Sequence, residues 1–446
     1  MKPFFTIPDL DLSQESSVDP MGLQVIWTHY GQDIFGEKLT TIANDLRVFT
    51  FNLFHNHLIN RLYQDHSEEL QEAKKYYKTW QTEVDVKAGL LMFIEDMVTH
   101  VFYNNVGSDS NFEKLGILGI SKARTLYNSY EHDKIFLAAN KRMGILKNQL
   151  NLGMTGRYKG PMMNMQFFDR SFTYIPKTWD QVNKFMVKWV DAMELEENII
   201  KLITRHLFQS GKKEYPQLSF QELKSNKLWK PISEGYLKCF GSRKLPKEIR
   251  EYWKDRIGLT SGAPEALFKE ISLRDPNEYI NHQQIFLNSK KHLSNEPTEL
   301  KKVNEILALE PFLSHTEFLL RYIAQPNIKK FKDEEKNLEL LRKEIETANQ
   351  FSLVNVNPRL IELQLVMQNT KTLYDWLTGI LSYHKKIMSL RGGNIWIEID
   401  EKNNFKHYFA PVLSEKLNTI PKYLIERPWW HTYYLETLSS IQSGLN

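Results

Sequence analysis

From Lys134 to Phe168 the chain carries six Lys or Arg residues and no Asp or Glu. The centre of that stretch reads "MTGRYKGP", with Arg157, Tyr158 and Lys159 held between Gly156 and Gly160. Cations alternating with an aromatic ring on a glycine-flexed, exposed turn suit a nucleic-acid backbone. The cations neutralise phosphates, and the tyrosine stacks on a base or hydrogen-bonds a phosphate. Lys147, upstream, extends the same acid-free surface. The plain alternative is a solvated turn whose trailing Met162, Met163 and Met165 enter a core.

A second candidate is "LGILGISKARTLYNSYE". Gly119-Ile120-Ser121 ahead of an amphipathic run resembles the turn and second helix of a helix-turn-helix. There Ser121 would cap the helix, and Lys122 and Arg124 would face phosphates or base edges. The alternative is a capped helix packing through Ala123, Leu126 and Tyr127. Near the C-terminus, "IWIEIDEK" places Glu398, Asp400 and Lys402 on or just after a strand. Metal-dependent nucleases use such carboxylates for Mg²⁺ and such a lysine to steady phosphate charge. Here the alternative is that "DEKNN" is an ordinary hairpin turn.

Other arrangements fail on spacing. His55 and His57 in "FHNHLIN" are two apart on a helix, so they point to different faces and cannot share a metal. "HDKIFLAAN" puts Ala139 where a phospholipase D-like pattern needs an acid. P-loop, Rossmann, His-Glu-x-x-His and Gly-x-Ser-x-Gly fingerprints do not occur. The single Cys239 excludes an intramolecular disulfide or a multi-cysteine zinc centre. No cofactor and no metal are expected, and no catalytic residue is assigned.

Helical periodicity supplies the elements that position these residues. Ile42, Leu46, Phe49, Leu53, Leu58 and Leu62 recur at helical spacing after Thr40 or Thr41 as N-caps. Ser219 with Glu222, and Thr178 with Gln181, stand at capping-box spacing. "AANKRMGILKNQLNLG" reads as a helix ended by Gly153. Strand signals are scarce; the clearest is Ile395, Ile397 and Ile399, then a polar turn and a second extended run, a β-hairpin. "MNMQFFDRSFTYIP" is a second extended candidate.

The net charge of +4 is modest. A second positive segment, Lys224 to Arg256, has ten basic residues against four acidic, with Trp229, Tyr236, Tyr252 and Trp253 interleaved. Lysines snorkelling over apolar neighbours account for it equally well. No apolar run approaches the roughly 18 residues of a membrane helix, and the N-terminal residues lack a signal peptide's apolar core. A cytoplasmic protein without membrane contact is expected.

The run "DPMGLQVIWTHYGQDIF", then "LTTIANDLRVFTFNLFHNHLI", "LGISKARTLYNSY" and "LKNQLNLGMTGRYKGP", resembles uncharacterised bacterial proteins found with antiphage defence or restriction genes. The resemblance covers roughly the first 170 residues. It implies a DNA-linked role in a multi-protein system and carries no catalytic residue across.

The expected fold is mainly α, multidomain and helical, with a small β-hairpin near the C-terminus. The segments are 1–210, bearing the basic glycine stretch, 211–330, basic and aromatic, and 331–446, helical with the hairpin. The functional expectation is a nucleic-acid-binding accessory component, with DNA the favoured nucleic acid, contacting it through Lys122, Arg124, Lys147, Arg157, Tyr158 and Lys159. The first rival is a protein-interaction scaffold using aromatics such as those of "RPWWHTYYLETL" as anchors for other subunits. The second is the nuclease built on Glu398, Asp400 and Lys402.

Overall fold

The structure is a computed structural model that describes residues 19–106, 117–131, 134–141, 144–146, 149–208, 215–242, 245–275, 278–354, 356–368, 372–409 and 429–445. It is mainly helical, with two small antiparallel two-stranded sheets among the described residues. No helix there is long and apolar enough to cross a membrane.

Along the chain run α1 (Leu23–Phe35), α2 (Leu46–Asp65), α3 (Ser67–Tyr76), α4 (Glu83–Val106), α5 (Ile120–Ser129), β1 (Phe136–Ala138), α6 (Gln149–Leu152), α7 (Met154–Asn164), α8 (Pro176–Met186) and α9 (Val190–Ile203). There follow β2 (Gln217–Ser219), α10 (Phe220–Ser225), α11 (Trp229–Phe240), α12 (Lys247–Ile257), α13 (Gly262–Ser272), α14 (His282–Ser289) and α15 (Pro297–Ile323). The rest are α16 (Phe331–Ala348), α17 (Pro358–Gln368), α18 (Leu373–Leu390), the hairpin β3 (Ile397–Ile399) with β4 (Phe405–His407), and α19 (Leu435–Leu445).

These elements form two compact units, neither contiguous in sequence. One comprises Met1–Ile34 with Asp275–Tyr433, the other Phe35–Arg274 with Tyr434–Asn446. The C-terminal helix joins the second unit because α19 packs on α2, α12 and α13.

In the second unit α2 and α4 are central and buried nearly all round. Asp45, extended at φ −116°, caps α2 by accepting from the Arg47 amide, so the helix starts later than Thr40 or Thr41 would have set it. Several polar groups inside α2 are bonded: Asn52 donates to the Val48 and Met154 carbonyls, and Thr50 accepts from the Trp253 indole at 2.9 Å. β1 pairs with β2, Leu137 opposite Leu218, and Ser219 then forms the expected capping box with Glu222. The other expected box does not form, since α8 begins at Pro176 with Thr178 already inside it.

In the first unit Asp19 caps α1 through the Leu23 and Gln24 amides at 2.8 and 3.0 Å and pairs with Arg391. His384 donates from Nδ1 to the Pro20 carbonyl and accepts the Trp396 amide on Nε2, which fixes its tautomer. α15 packs on α16, α17 on α18, and β3 leans on α18. Ile399 pairs with Phe405 across the hairpin, as the alternation of apolar residues implied.

Candidate nucleic-acid interface

The acid-free stretch folds against acids elsewhere in the sequence. Lys141 pairs with Asp85 at 2.5 Å and Lys134 with Glu131 at 2.7 Å. Asp96 accepts from the Ile145 amide, and Glu95 accepts from the Thr155 amide and the Gln149 side chain. Burial pushes the carboxyl of Asp96 up to about 8. The positive excess seen in sequence is thus partly spent on α4.

"MTGRYKGP" is a helix, not an exposed turn. Met154, Thr155, Tyr158, Pro161 and Met162 are buried at helical spacing, and that stripe drives α7 to form despite two glycines, each costing about 1 kcal/mol relative to alanine. Gly156 is required because a Cβ there would come within 2.4 Å of the Leu150 carbonyl. The expected long helix ahead of it is only the single turn α6, and Gly153 serves as the N-cap of α7. The following extended candidate survives as a Phe168–Tyr174 bridge.

The side chains of α7 have different fates. Tyr158 is buried at 2% exposure, its ring edge-on to Phe49 at 4.6 Å, and its hydroxyl accepts the Asp45 amide at 3.0 Å. It is not presented for stacking on a base. Lys159 donates to the Arg170 carbonyl at 2.7 Å and lies 4.0 Å above the Phe172 ring, and burial draws its ammonium below the ordinary lysine range. Arg157 differs: its half-buried guanidinium makes no ion pair or hydrogen bond with any described residue.

Arg157 stands on the wall of a cavity of about 330 Å³. Asn44, Leu46 and Val48 at the start of α2 form one side, with Ile42 before them. Leu118, Tyr158, Ser440, Ser443 and Gly444 complete the lining. The Leu46 amide, first in α2, has no acceptor among the described residues, as expected of an N-terminal helical N–H. Among the described lining residues the one carboxylate, Asp45, is held by the amide and guanidinium of Arg47 at 2.8 and 3.3 Å.

Leu118 leads into α5, on whose first turn Lys122 is exposed without an acid partner among the described residues. Arg124 is half-buried on the same helix. Ser121 does not cap α5; Gly119, at φ 95°, is the N-cap and makes no side-chain bond. Residues 107–116, where the first helix of a helix-turn-helix would lie, are outside the described residues; Ala123 is buried, as the packing alternative requires. Lys147 lies outside the described residues.

The remaining candidates are occupied structurally. In the second basic segment Lys238 pairs with Asp191 and Lys224 covers Phe220; Arg250 donates to the Leu445 carbonyl, and Arg256 lies over Phe167 while donating to Gln181. Asp400 organises its turn, its Oδ1 accepting the Lys402 and Asn404 amides at 2.9 Å; those backbone bonds hold its carboxyl below the usual range. Glu398 accepts the Tyr408 hydroxyl. His55 and His57 diverge as expected: burial lowers His55 to about 3, whereas His57 bonds Glu196 at 2.7 Å. Cys239 is buried, its thiol pushed up to about 12 by burial. Of the described aromatics in "RPWWHTYYLETL", Trp430 is exposed at 38%, Trp429 stacks on Phe286, and Tyr433 and Tyr434 are buried.

Sequence reasoning missed Asn44, the Leu46 amide, Ser440 and Ser443. Only the spacing of Ser440, Ser443 and Gly444 on one face of α19 hinted at a shared surface. The chain matches no family model, and neither a curated protein by sequence nor a solved structure by fold matches it.

Proposed function

We propose that this chain is a nucleic-acid-contacting accessory protein that touches the phosphate backbone through Arg157 and Lys122. The observation that carries the reading is Arg157, an unpaired guanidinium on a cavity wall within a segment whose other described cations, Lys134, Lys141 and Lys159, are engaged. Arginine's planar fork matches phosphate oxygens, and a backbone contact carries no base sequence. Tyr158 has a supporting role: it anchors the Asp45 amide at the start of α2. DNA as the nucleic acid, and service in a multi-protein antiphage system, follow from the sequence resemblance and belong to the same proposal.

Two phosphate contacts give a slope of about −1.8 in log affinity against log salt. Fluorescence anisotropy with a generic duplex between 50 and 200 mM salt measures it. Arg157→Ala with Lys122→Ala should flatten the slope and weaken binding. A salt-independent affinity, or an unaffected double variant, refutes the proposal. Trp430 supports the scaffold reading instead if a co-purifying subunit is lost on Trp430→Ala.

A further inference from the structure

The cavity beside α2 offers more than one charge. Its volume of about 330 Å³ sits at the lower end of the roughly 300–1,000 Å³ of small-ligand sites, which suits one compact ligand. Its wall divides chemically. Ile42, Leu46, Val48 and Leu118 supply an apolar side. Arg157, the Leu46 amide and the Asn44 side chain are unspent donors among the described residues. Ser440 and Ser443 send their hydroxyl protons into their own helix, to the Glu436 and Ser440 carbonyls at 3.0 and 2.6 Å. Their oxygens therefore have only lone pairs to offer. An occupant must bring an anionic group, a flat or apolar body, and donors of its own.

We infer that this cavity binds one nucleoside monophosphate unit. The phosphate meets Arg157 and the Leu46 amide, the ring lies against Leu118 and Val48, and sugar or base donors reach Ser440 and Ser443. The inference deepens the nucleic-acid reading and in part rests on it. The unit has two possible sources, the phosphorylated end of a strand or a free nucleotide.

The full chain is titrated with one single-stranded oligonucleotide carrying either a 5′-phosphate or a 5′-hydroxyl, and separately with AMP. The phosphorylated strand should bind about tenfold or more tighter, the scale of one arginine–phosphate contact, and AMP should compete with it. Arg157→Ala and the cavity-filling Ser443→Phe should both abolish the difference at unchanged melting temperature. If Ser443→Phe melts early, Ser443→Val, which removes the acceptor without filling, replaces it and should weaken AMP binding. AMP binding that needs Arg157, with no oligonucleotide binding, leaves the cavity assignment standing with free nucleotide as its source and removes the backbone reading. Salt-sensitive binding indifferent to the 5′-phosphate and to Ser443→Phe overturns the cavity assignment and leaves the backbone reading intact. No binding of any of these probes overturns both.

Discussion

Adjacent residues Arg157 and Tyr158 should respond to substitution in opposite ways. Tyr158→Phe keeps the ring against Phe49 and deletes the oxygen that accepts the Asp45 amide at 3.0 Å. That leaves a half-buried N–H at the cap of α2 without its acceptor, at a cost of about 1–3 kcal/mol. At 1.4 kcal/mol per decade, local opening becomes about 5- to 150-fold more frequent. Hydrogen exchange followed by mass spectrometry on a peptide spanning residues 41–48 reads this directly, with no need for the whole chain to unfold in one step. Arg157→Ala removes no described hydrogen bond of its side chain, so the same peptide should exchange at the parent rate. Binding should show the reverse, with Arg157→Ala weakening nucleic-acid affinity and Tyr158→Phe changing it little beyond the effect of a looser cap. Parent-like exchange in Tyr158→Phe refutes the anchoring role. Tyr158→Phe that loses binding without faster exchange restores tyrosine as a direct contact.

Further outcomes test the packing and the buried charges. Gly89→Ala would set a Cβ 2.3 Å from the Ala139 carbonyl that accepts the Trp80 indole at 2.8 Å; overpacking plus a stranded indole donor should destabilise by about 2–5 kcal/mol, seen as a lower melting temperature. Gly379→Ala, whose Cβ has ordinary 3.6 Å contact with Val366, should be neutral or stabilise by up to about 1 kcal/mol by the same measurement. Glu310 and His431 form a buried pair at 3.0 Å, with the Tyr433 hydroxyl on the carboxylate. Burial opposes both charges, yet the pair's attraction wins, placing Glu310 below its ordinary 4.5 and His431 above its ordinary 6.5. A lowered acid stabilises fully above 4.5 and loses that as pH falls through its folded value; a raised histidine stabilises fully below 6.5 and loses that as pH rises through its own. Protection of residues 429–433 from exchange, corrected for intrinsic rate, should thus peak between pH 4.5 and 6.5. His431→Gln should flatten the alkaline limb, and protection still rising through pH 8 contradicts the pairing.

What could be read in the sequence was local. The apolar spacing of α2, the capping box at Ser219 and the hairpin from Ile397 to His407 each depend on residues within a few positions of one another, and each formed. The basic stretch looked free because Asp85, the acid that pairs with Lys141, lies on a helix 56 residues earlier, beyond any window that scores local charge. Gly156 and Gly160 pointed to a loop, but the buried stripe through Tyr158 and Met162 outweighs their helix penalty. The cavity was illegible for the same reason: its donors and acceptors come from three separate stretches, and none carries a motif alone. Arg157 was singled out by its charge alone. Tyr158, expected on an exposed turn, lies on the buried face of a helix, because an aromatic between two cations looks exposed until the rest of the stripe is counted.

Neither compact unit is a continuous piece of chain, and this orders events during synthesis. Residues of the second unit emerge from Phe35 onward, but the cavity that begins at Ile42 is closed by Ser440 and Ser443. At about 5–20 residues per second the two sides are made some 20–80 s apart. Throughout that interval the start of α2, and Arg157 once it is made, lack their α19 wall. A nascent or prematurely ended chain therefore presents the cation without the enclosure, so a product stopping before Leu435 should be a weaker, less selective binder and a preferred target for quality-control proteases.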